Sequence, residues 1–424
     1  ADELDIAEAL GLLASYSMIT LAEDSVSVHR LVQSVTLAQL TPEQQDAVRR
    51  LAADLLASAL PDDPKRMENR PVYARLLPHA RTALPPDAPA MERVVSYLEA
   101  SGDYTTAKEF QHRRCLALRE TLGPEHLETL GAQAELASLI GYAGDAVAAR
   151  EQYAALLSRH QQVEGFDHPD TLTALANLAY WTGEAGDAAT ARDLYAALLP
   201  INERILGPEH PSTLSALGNL ARWSGQAGDA VAARDLYADL IPVCERVLGP
   251  EHHETLIARA NLAQATGVAG DATAARDQLA ALIPTCERVL GSEHPVTLSS
   301  RSNFAYWTGQ AGDAAAARDL YAVLLPIRER VLGPEHPSTL LTRANLAHWT
   351  GEAGDAAAAR DLYAALLPID ERVLGPDHPD TQLTRRSLAR WTKRARNSGR
   401  ARNSGRGRRG GGRRRGRRGS GGRR

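Results

Sequence analysis

One interval governs this sequence: 42 residues. His126, His168, His210, His252, His294, His336 and His378 stand that far apart, and the pair Gly-Asp keeps the same spacing from Gly102-Asp103 to Gly354-Asp355. A period of this length marks a repeat architecture, in which each unit is one supersecondary element too small to bury its own apolar face. Stacking unit on unit buries a continuous core. Ala, Leu and Arg dominate while β-formers are sparse, so the units read as helical.

One unit shows the pattern. Leu172, Leu175, Leu178 and Ala179 recur at helical spacing and predict a first helix from about Thr171 to Thr182. Gly186 suits a left-handed turn, and Asp187 stands where an N-cap belongs. Ala191, Leu194, Tyr195, Leu198 and Ile205 give the second helix one apolar face. Leu206-Gly207-Pro208 ends it, and His210-Pro211 opens the next unit with Pro at a helix start. Seven such units fill 88–381, and a lone first helix follows to about Trp391. Pro200, Pro242, Pro284, Pro326 and Pro368 fall inside second helices, where a lost hydrogen bond predicts a kink or a short break.

These residues resemble the tetratricopeptide repeat family. Asn177-Leu178-Ala179, Gly186-Asp187, Ala191 and Tyr195 fall on its signature, and Leu206-Gly207-Pro208-Glu209-His210-Pro211 is similar to the connector of kinesin light chain repeats. The resemblance covers about 88–392. It implies an all-α, right-handed superhelical solenoid of antiparallel helix pairs that binds protein or peptide in a concave groove lined by first helices. The Pro within each second helix departs from the kinesin light chain pattern, so the cargo specificity of that family does not carry over.

The two ends differ from the array. Asp5–Ile19 reads as a helix, and Val26–Gln33 as a short strand running into a helix. Residues 1–40 thereby resemble the end of the winged-helix module that follows the nucleotide-binding domain in NB-ARC-type signalling ATPases of the STAND class. That resemblance implies a bacterial signalling protein whose ATPase lies upstream, absent from a chain that opens on Ala1. Residues 41–87, with helices expected at 43–60 and 71–84, read as a helical linker or degenerate repeats.

From Lys393 to Arg424 there are 15 Lys or Arg and no acid, so residues 1–392 keep 33 basic residues against 52 acidic ones. This Arg/Gly-rich stretch, 393–424, has no core-forming residue and predicts disorder. Nucleic acid bound through the tail is the alternative function, by phosphate neutralisation. The near-duplicate Asn397–Arg402 and Asn403–Arg408 also fits an out-of-frame reading of a further repeat.

Three positions per unit are site candidates. Asn177, Asn219, Asn261, Asn303 and Asn345 form a ladder in mid first helix. An amide donates and accepts at once, which suits gripping a peptide backbone, as Asn ladders do in resembling repeat superhelices; the plainer alternative is a bond to the neighbouring unit. Three residues on lie Tyr180, Arg222, Gln264, Tyr306 and His348, whose variation inside near-identical units fits partner reading or drift. Trp181, Trp223, Trp307, Trp349 and Trp391 come next, with Ala265 replacing one, and read as packing between units.

Other chemistry finds no pattern. One His per unit, with units roughly 10 Å apart, cannot converge on a zinc ion that needs ligands within about 2.1 Å, so these His read as caps. Cys115, Cys244 and Cys286 lack a framework spacing, which points to a reducing, cytoplasmic setting. No phosphate-binding loop or catalytic triad pattern is present, and no apolar run reaches membrane-spanning length. The reading is a non-enzymatic scaffold with no cofactor and no metal.

Overall fold

The computed structural model describes residues 13–14, 18–22 and 26–410. Two compact units make up the chain, Ala1–Ala174 and Leu175–Arg424.

The first begins with a hairpin, β1 (Ile19–Leu21) antiparallel to β2 (Val26–Val28), with Ile19 opposite Val28. Ile19 is thus in a strand and not at the end of a helix; residues 5–12 and 15–17 of the expected helix lie outside the described residues. Helices α1 (Arg30–Gln39), α2 (Pro42–Ala59) and α3 (Arg70–Ala83) follow. Then come α4 (Pro89–Ser101), α5 (Tyr104–Thr121), α6 (Leu127–Tyr142) and α7 (Ala146–Val163). One apolar cluster, with Leu56, Tyr73, Leu84, Met91, Leu98 and Phe110, runs across residue 87. Arg93 binds α2 to α4: its guanidinium donates to the carbonyls of Ala57 and Leu60, both at 2.8 Å, satisfying groups a helix end leaves open.

Helix α8 (Pro169–Glu184) carries the chain into the second unit. There α9 (Ala188–Ile205), α10 (Pro211–Gln226), α11 (Ala230–Val247), α12 (His253–Val268) and α13 (Ala272–Val289) continue the pattern. It ends with α14 (Pro295–Gln310), α15 (Ala314–Leu332), α16 (Pro337–Glu352), α17 (Ala356–Val373) and α18 (Pro379–Gly410).

From α5 onward, helix starts are capped as their residue types dictate. Asp187 accepts from the Thr190 amide at 3.0 Å, after Gly186 at φ +100° has turned the chain. The connector His are caps too: Nδ1 of His210 accepts from the Ser212 amide at 3.2 Å, and that of His294 from Val296 at 3.3 Å. The buried Thr of each first turn closes the connector, as Thr255 does by donating to the Gly249 carbonyl at 2.8 Å.

The second helices run unbroken through Pro200, Pro242, Pro284, Pro326 and Pro368, so the expected break is absent. The carbonyl that each Pro leaves without a donor belongs to Ala196, Ala238, Ala280, Ala322 or Ala364, all on the exposed face, where water replaces the lost bond. Helix α18 continues through 393–410. Arg and Ala favour helix, and Arg390 and Arg394 both pair with Glu352 and lie over the Trp391 ring.

Successive first helices of the second unit meet at a glycine. A Cβ on Gly183 would stand 2.4 Å from the Trp223 ring, one on Gly309 2.4 Å from Trp349, and one on Gly351 2.4 Å from Trp391. Gly267 receives Trp307 in the same way, with 2.5 Å to the ring. Each indole is therefore buried in a socket that exists only because the facing residue has no side chain. The seam between α10 and α12 is the exception: Ala265 stands for Trp, and a Cβ on Gly225 would meet only the Ala233 methyl, at 3.3 Å.

From Glu245 onward the repeats also carry two kinds of Arg–Glu pair. Arg301 binds Glu287 at 2.7 Å on a half-buried face, and Arg330 binds Glu293 at 2.7 Å on an exposed one. A further position, buried in both units, changes from repeat to repeat: His160, Asn202, Cys244, Cys286, Arg328 and Asp370. Arg328 has no carboxylate and donates to Thr342 Oγ1 at 2.7 Å and the carbonyls of Ser338 and Leu298. Burial lowers its pKa. Asp370 accepts from Thr384 at 2.8 Å, and burial raises its pKa.

The sockets predict an asymmetry between chemically identical substitutions. Gly309→Ala forces a methyl into the Trp349 ring and should lower stability by about 2–3 kcal/mol. Gly225→Ala meets open space apart from one methyl and gains helix propensity, so its effect should stay within about 1 kcal/mol. Urea denaturation followed by circular dichroism compares the two.

Candidate functional site

A cleft of about 700 Å³ opens at the one seam that lacks its Trp. Helix α10 supplies Leu214, Ser215, Gly218, Asn219 and Arg222; α11 supplies Tyr237, Leu240, Cys244 and Leu248; α12 supplies Glu254, Ile257, Ala258 and Asn261. The floor is aliphatic and the polar groups sit above it. Gly218 occupies the place held by Ala176, Ala260, Ser302 and Ala344 elsewhere, so less side chain fills this side.

Tyr237 also breaks a pattern. Tyr195, Tyr321 and Tyr363 donate to a first-helix carbonyl: Ala176 at 2.8 Å, Ser302 at 2.8 Å and Ala344 at 3.0 Å. Tyr237 makes no such bond to a first-helix carbonyl; its hydroxyl neighbours Asn261, and burial pushes its pKa up to about 12. Asn219, which lines the cleft, donates to the Ser215 carbonyl of its own helix at 3.0 Å, and its oxygen keeps the capacity to accept.

Of the ten candidate residues, the structure brings three together here: Asn219, Asn261 and Arg222. All ten are half-buried. The variable set proves to be bound up with the seams. Tyr180 meets Trp223 edge-on at 6.3 Å, Tyr306 meets Trp349 at 6.2 Å, and His348 meets Trp391 at 6.5 Å. Gln264 accepts from Trp307 Nε1 at 2.9 Å, an indole bond that Trp223, Trp349 and Trp391 lack. Arg222 lies 4.5 Å over the Trp223 ring and binds Glu184 at 2.7 Å. Burial works against its charge, but Glu184 and Tyr180 hold its pKa above the ordinary arginine value. Asn177, Asn303 and Asn345 lie outside this cleft.

A second cleft of about 810 Å³ lies between α13 and α15, lined by Ile283, Phe304, Leu320, Val323, Leu324 and Ile327. It holds none of the candidate residues and only Arg276, Arg301 and Asp319 as charged lining. Arg276 lies within 2.8 Å of the neighbouring Asp277 and Arg301 is paired with Glu287, so little there is free to orient a ligand.

An all-helical array of paired, Asp- and His-capped helices defines a repeat solenoid. The tetratricopeptide repeat family model matches residues 183–245 and, as three consecutive repeats, 255–296, 297–338 and 339–380, so this stretch consists of tetratricopeptide repeats. Among solved structures, the nearly identical TPR-like repeats of a kinesin-light-chain protein from Podosopora anserina are 27% identical, covering 48% of this chain and 97% of that one, with a TM-score of 0.43. BtubC from P. vanneervenii is 18% identical over 59% of this chain and 94% of that one, at 0.42. A Signal Transduction ATPase with Numerous Domains from Pyrococcus horikoshii, with a tetratricopeptide repeat sensor, is 12% identical over 93% of this chain and 57% of that one, at 0.50; this likeness is one of fold. No curated protein sequence matches the chain.

The seam residues carry a pH dependence. Burial lowers the His348 pKa below the ordinary 6.5, assisted by Arg390 and Arg394 and opposed by Glu352. The folded state then prefers neutral imidazole while the unfolded chain takes up a proton, so this stability is present above about pH 6.5 and is lost as pH falls toward the folded value. His348→Tyr installs the residue that Tyr180 and Tyr306 supply at equivalent seams. Thermal midpoints at pH 7.5 and 5.0 should differ less in this variant than in the wild type.

Proposed function

We propose that the chain is a protein- or peptide-binding scaffold whose principal contact is the α10–α12 cleft. The observation that carries this is the coincidence, at one seam, of a missing Trp, a Gly in place of Ala, and a Tyr that lines the cleft beside Asn261 without the first-helix bond its equivalents make. An aliphatic floor accepts an apolar side chain, while Asn219, Asn261 and the Tyr237 hydroxyl offer donors and acceptors to the backbone around it. Arg222 at the rim favours a neighbouring acidic group once Glu184 is shared.

On this reading the array is the sensor or partner-recruiting arm of a STAND-type signalling ATPase whose nucleotide-binding domain is not in this chain. Support comes from the likeness in fold to an ATPase with a tetratricopeptide repeat sensor, and from the strand-to-helix passage at Val26–Gln39.

Peptides selected from a random display library on the immobilised full chain test the cleft. Their affinity should fall about tenfold or more in the Asn219→Ala, Asn261→Ala double variant, the scale of two lost hydrogen bonds, with helicity unchanged. Equal affinity for both proteins would reject the cleft.

A further inference from the structure

The connector between α7 and α8 is unlike every other. Where Leu206-Gly207-Pro208, Leu248-Gly249-Pro250 and Leu332-Gly333-Pro334 close a second helix, this one reads Glu164-Gly165-Phe166. The Glu164 side chain is nevertheless as deep as a leucine, 6% exposed. Burying a carboxylate is costly unless each oxygen finds a partner. His160, itself buried one helical turn earlier, donates from Nδ1 to Glu164 Oε2 at 2.8 Å. Oε1 is buried and has none.

Two more ligand types converge on the same carboxylate. His168 Nδ1 is 3.4 Å from Glu164 Oε2, and Asp170 Oδ2 is 3.8 Å from His168 Nδ1. The ligand atoms of Glu164, His168 and Asp170 all lie within 4.8 Å of one another. Ligands about 2.0–2.1 Å from a tetrahedral ion stand roughly 3.4 Å apart, so the set is spaced for one small cation. His168 and Asp170 are open to solvent, which gives an ion a way in. The pair His378 and Asp380 repeats this spacing, at 3.8 Å, but Leu374 stands where the carboxylate would be.

We propose that Glu164, His168 and Asp170 form a site for a divalent transition ion of the zinc type, with His160 as the positioning residue that orients the Glu164 carboxylate. One imidazole nitrogen and two carboxylates suit such an ion, and water completes its coordination. The buried His160–Glu164 bond plays the part that outer hydrogen bonds play in holding a ligating group in one orientation. His168 Nδ1 also accepts from the Asp170 amide at 3.3 Å, so the ion replaces that cap contact when it binds. The His ladder as a whole cannot converge on a metal; this site arises because one unit adds a carboxylate that the repeat pattern does not contain.

The repeat supplies its own test. Glu164→Leu restores the residue used at equivalent connectors and so keeps the fold, while it removes the central ligand. The full wild-type chain, passed through gel filtration with Zn²⁺ in the presence of a weak chelator, should retain one ion per chain and bind it at least tenfold more tightly than Glu164→Leu. His168→Asn, which retains a capping side chain, should show the same loss, and Co²⁺ added to the wild type should give visible d–d absorption absent from both variants. No retained ion in the wild type, or equal retention by Glu164→Leu and His168→Asn, would overturn the proposal.

Discussion

Between the first helices of the second unit, the contact that fixes spacing is an indole ring lying where a neighbour's Cβ would be. The approach is closer than any side chain allows, and it recurs at Gly183, Gly267, Gly309 and Gly351. Large aromatics supply much of the buried apolar area in such interfaces, and the missing Cβ lets the ring plane reach backbone. The Arg–Glu pairs are secondary, since exposed pairs contribute little and half-buried ones chiefly fix register. Where the indole is absent, at Ala265, the two first helices enclose the aliphatic cleft.

Much of this fold was legible because the repeat states its own rules. The helix pairs, the Gly turns, the Asp and His caps and the packing role of Trp all follow from residues whose local chemistry has one good use. The misreadings share a cause: local rules do not say which face a residue presents. Pro200 looks like a helix breaker until the carbonyl it orphans is seen to face water. Ile19 reads as helix until Val28 pairs with it. The sockets were invisible for a related reason, because Gly183 and Trp223 are distant in sequence and a mid-helix Gly suggests only weakness.

The candidate site was legible in part. The Asn ladder and the variable position beside it lie on the first helices, two of which line the cleft, but they do not distinguish one seam from another. Only the structure shows that Gly218 and Tyr237 line one cleft with Asn219 and Asn261, between the helices where Ala265 stands for Trp. It also shows that Tyr180, Arg222, Gln264, Tyr306 and His348 touch the ladder of indoles. Under the proposed binding function, substitution at these positions would alter both the surface offered to a ligand and the joint between repeats. Arg222 is the clearest case: the guanidinium that faces the cleft is the one clamped on Trp223 and Glu184.

Tandem units this alike invite unequal recombination in the DNA that encodes them. The sockets and caps of the units from Gly183 onward would largely accept a shuffled array, since these units present the same glycine and the same caps. The buried position that runs His160, Asn202, Cys244, Cys286, Arg328, Asp370 would not. Arg328 relies on the Thr342 hydroxyl and Asp370 on that of Thr384, whereas the matching places under Asn202 and Cys244 are Ala216 and Ala258. An exchange that set the guanidinium or the carboxylate beneath a methyl group would strand a buried charge, which is among the costlier single errors a core can hold. Each unit thus carries an address in its interior, and the order of the array is written where no ligand reads it.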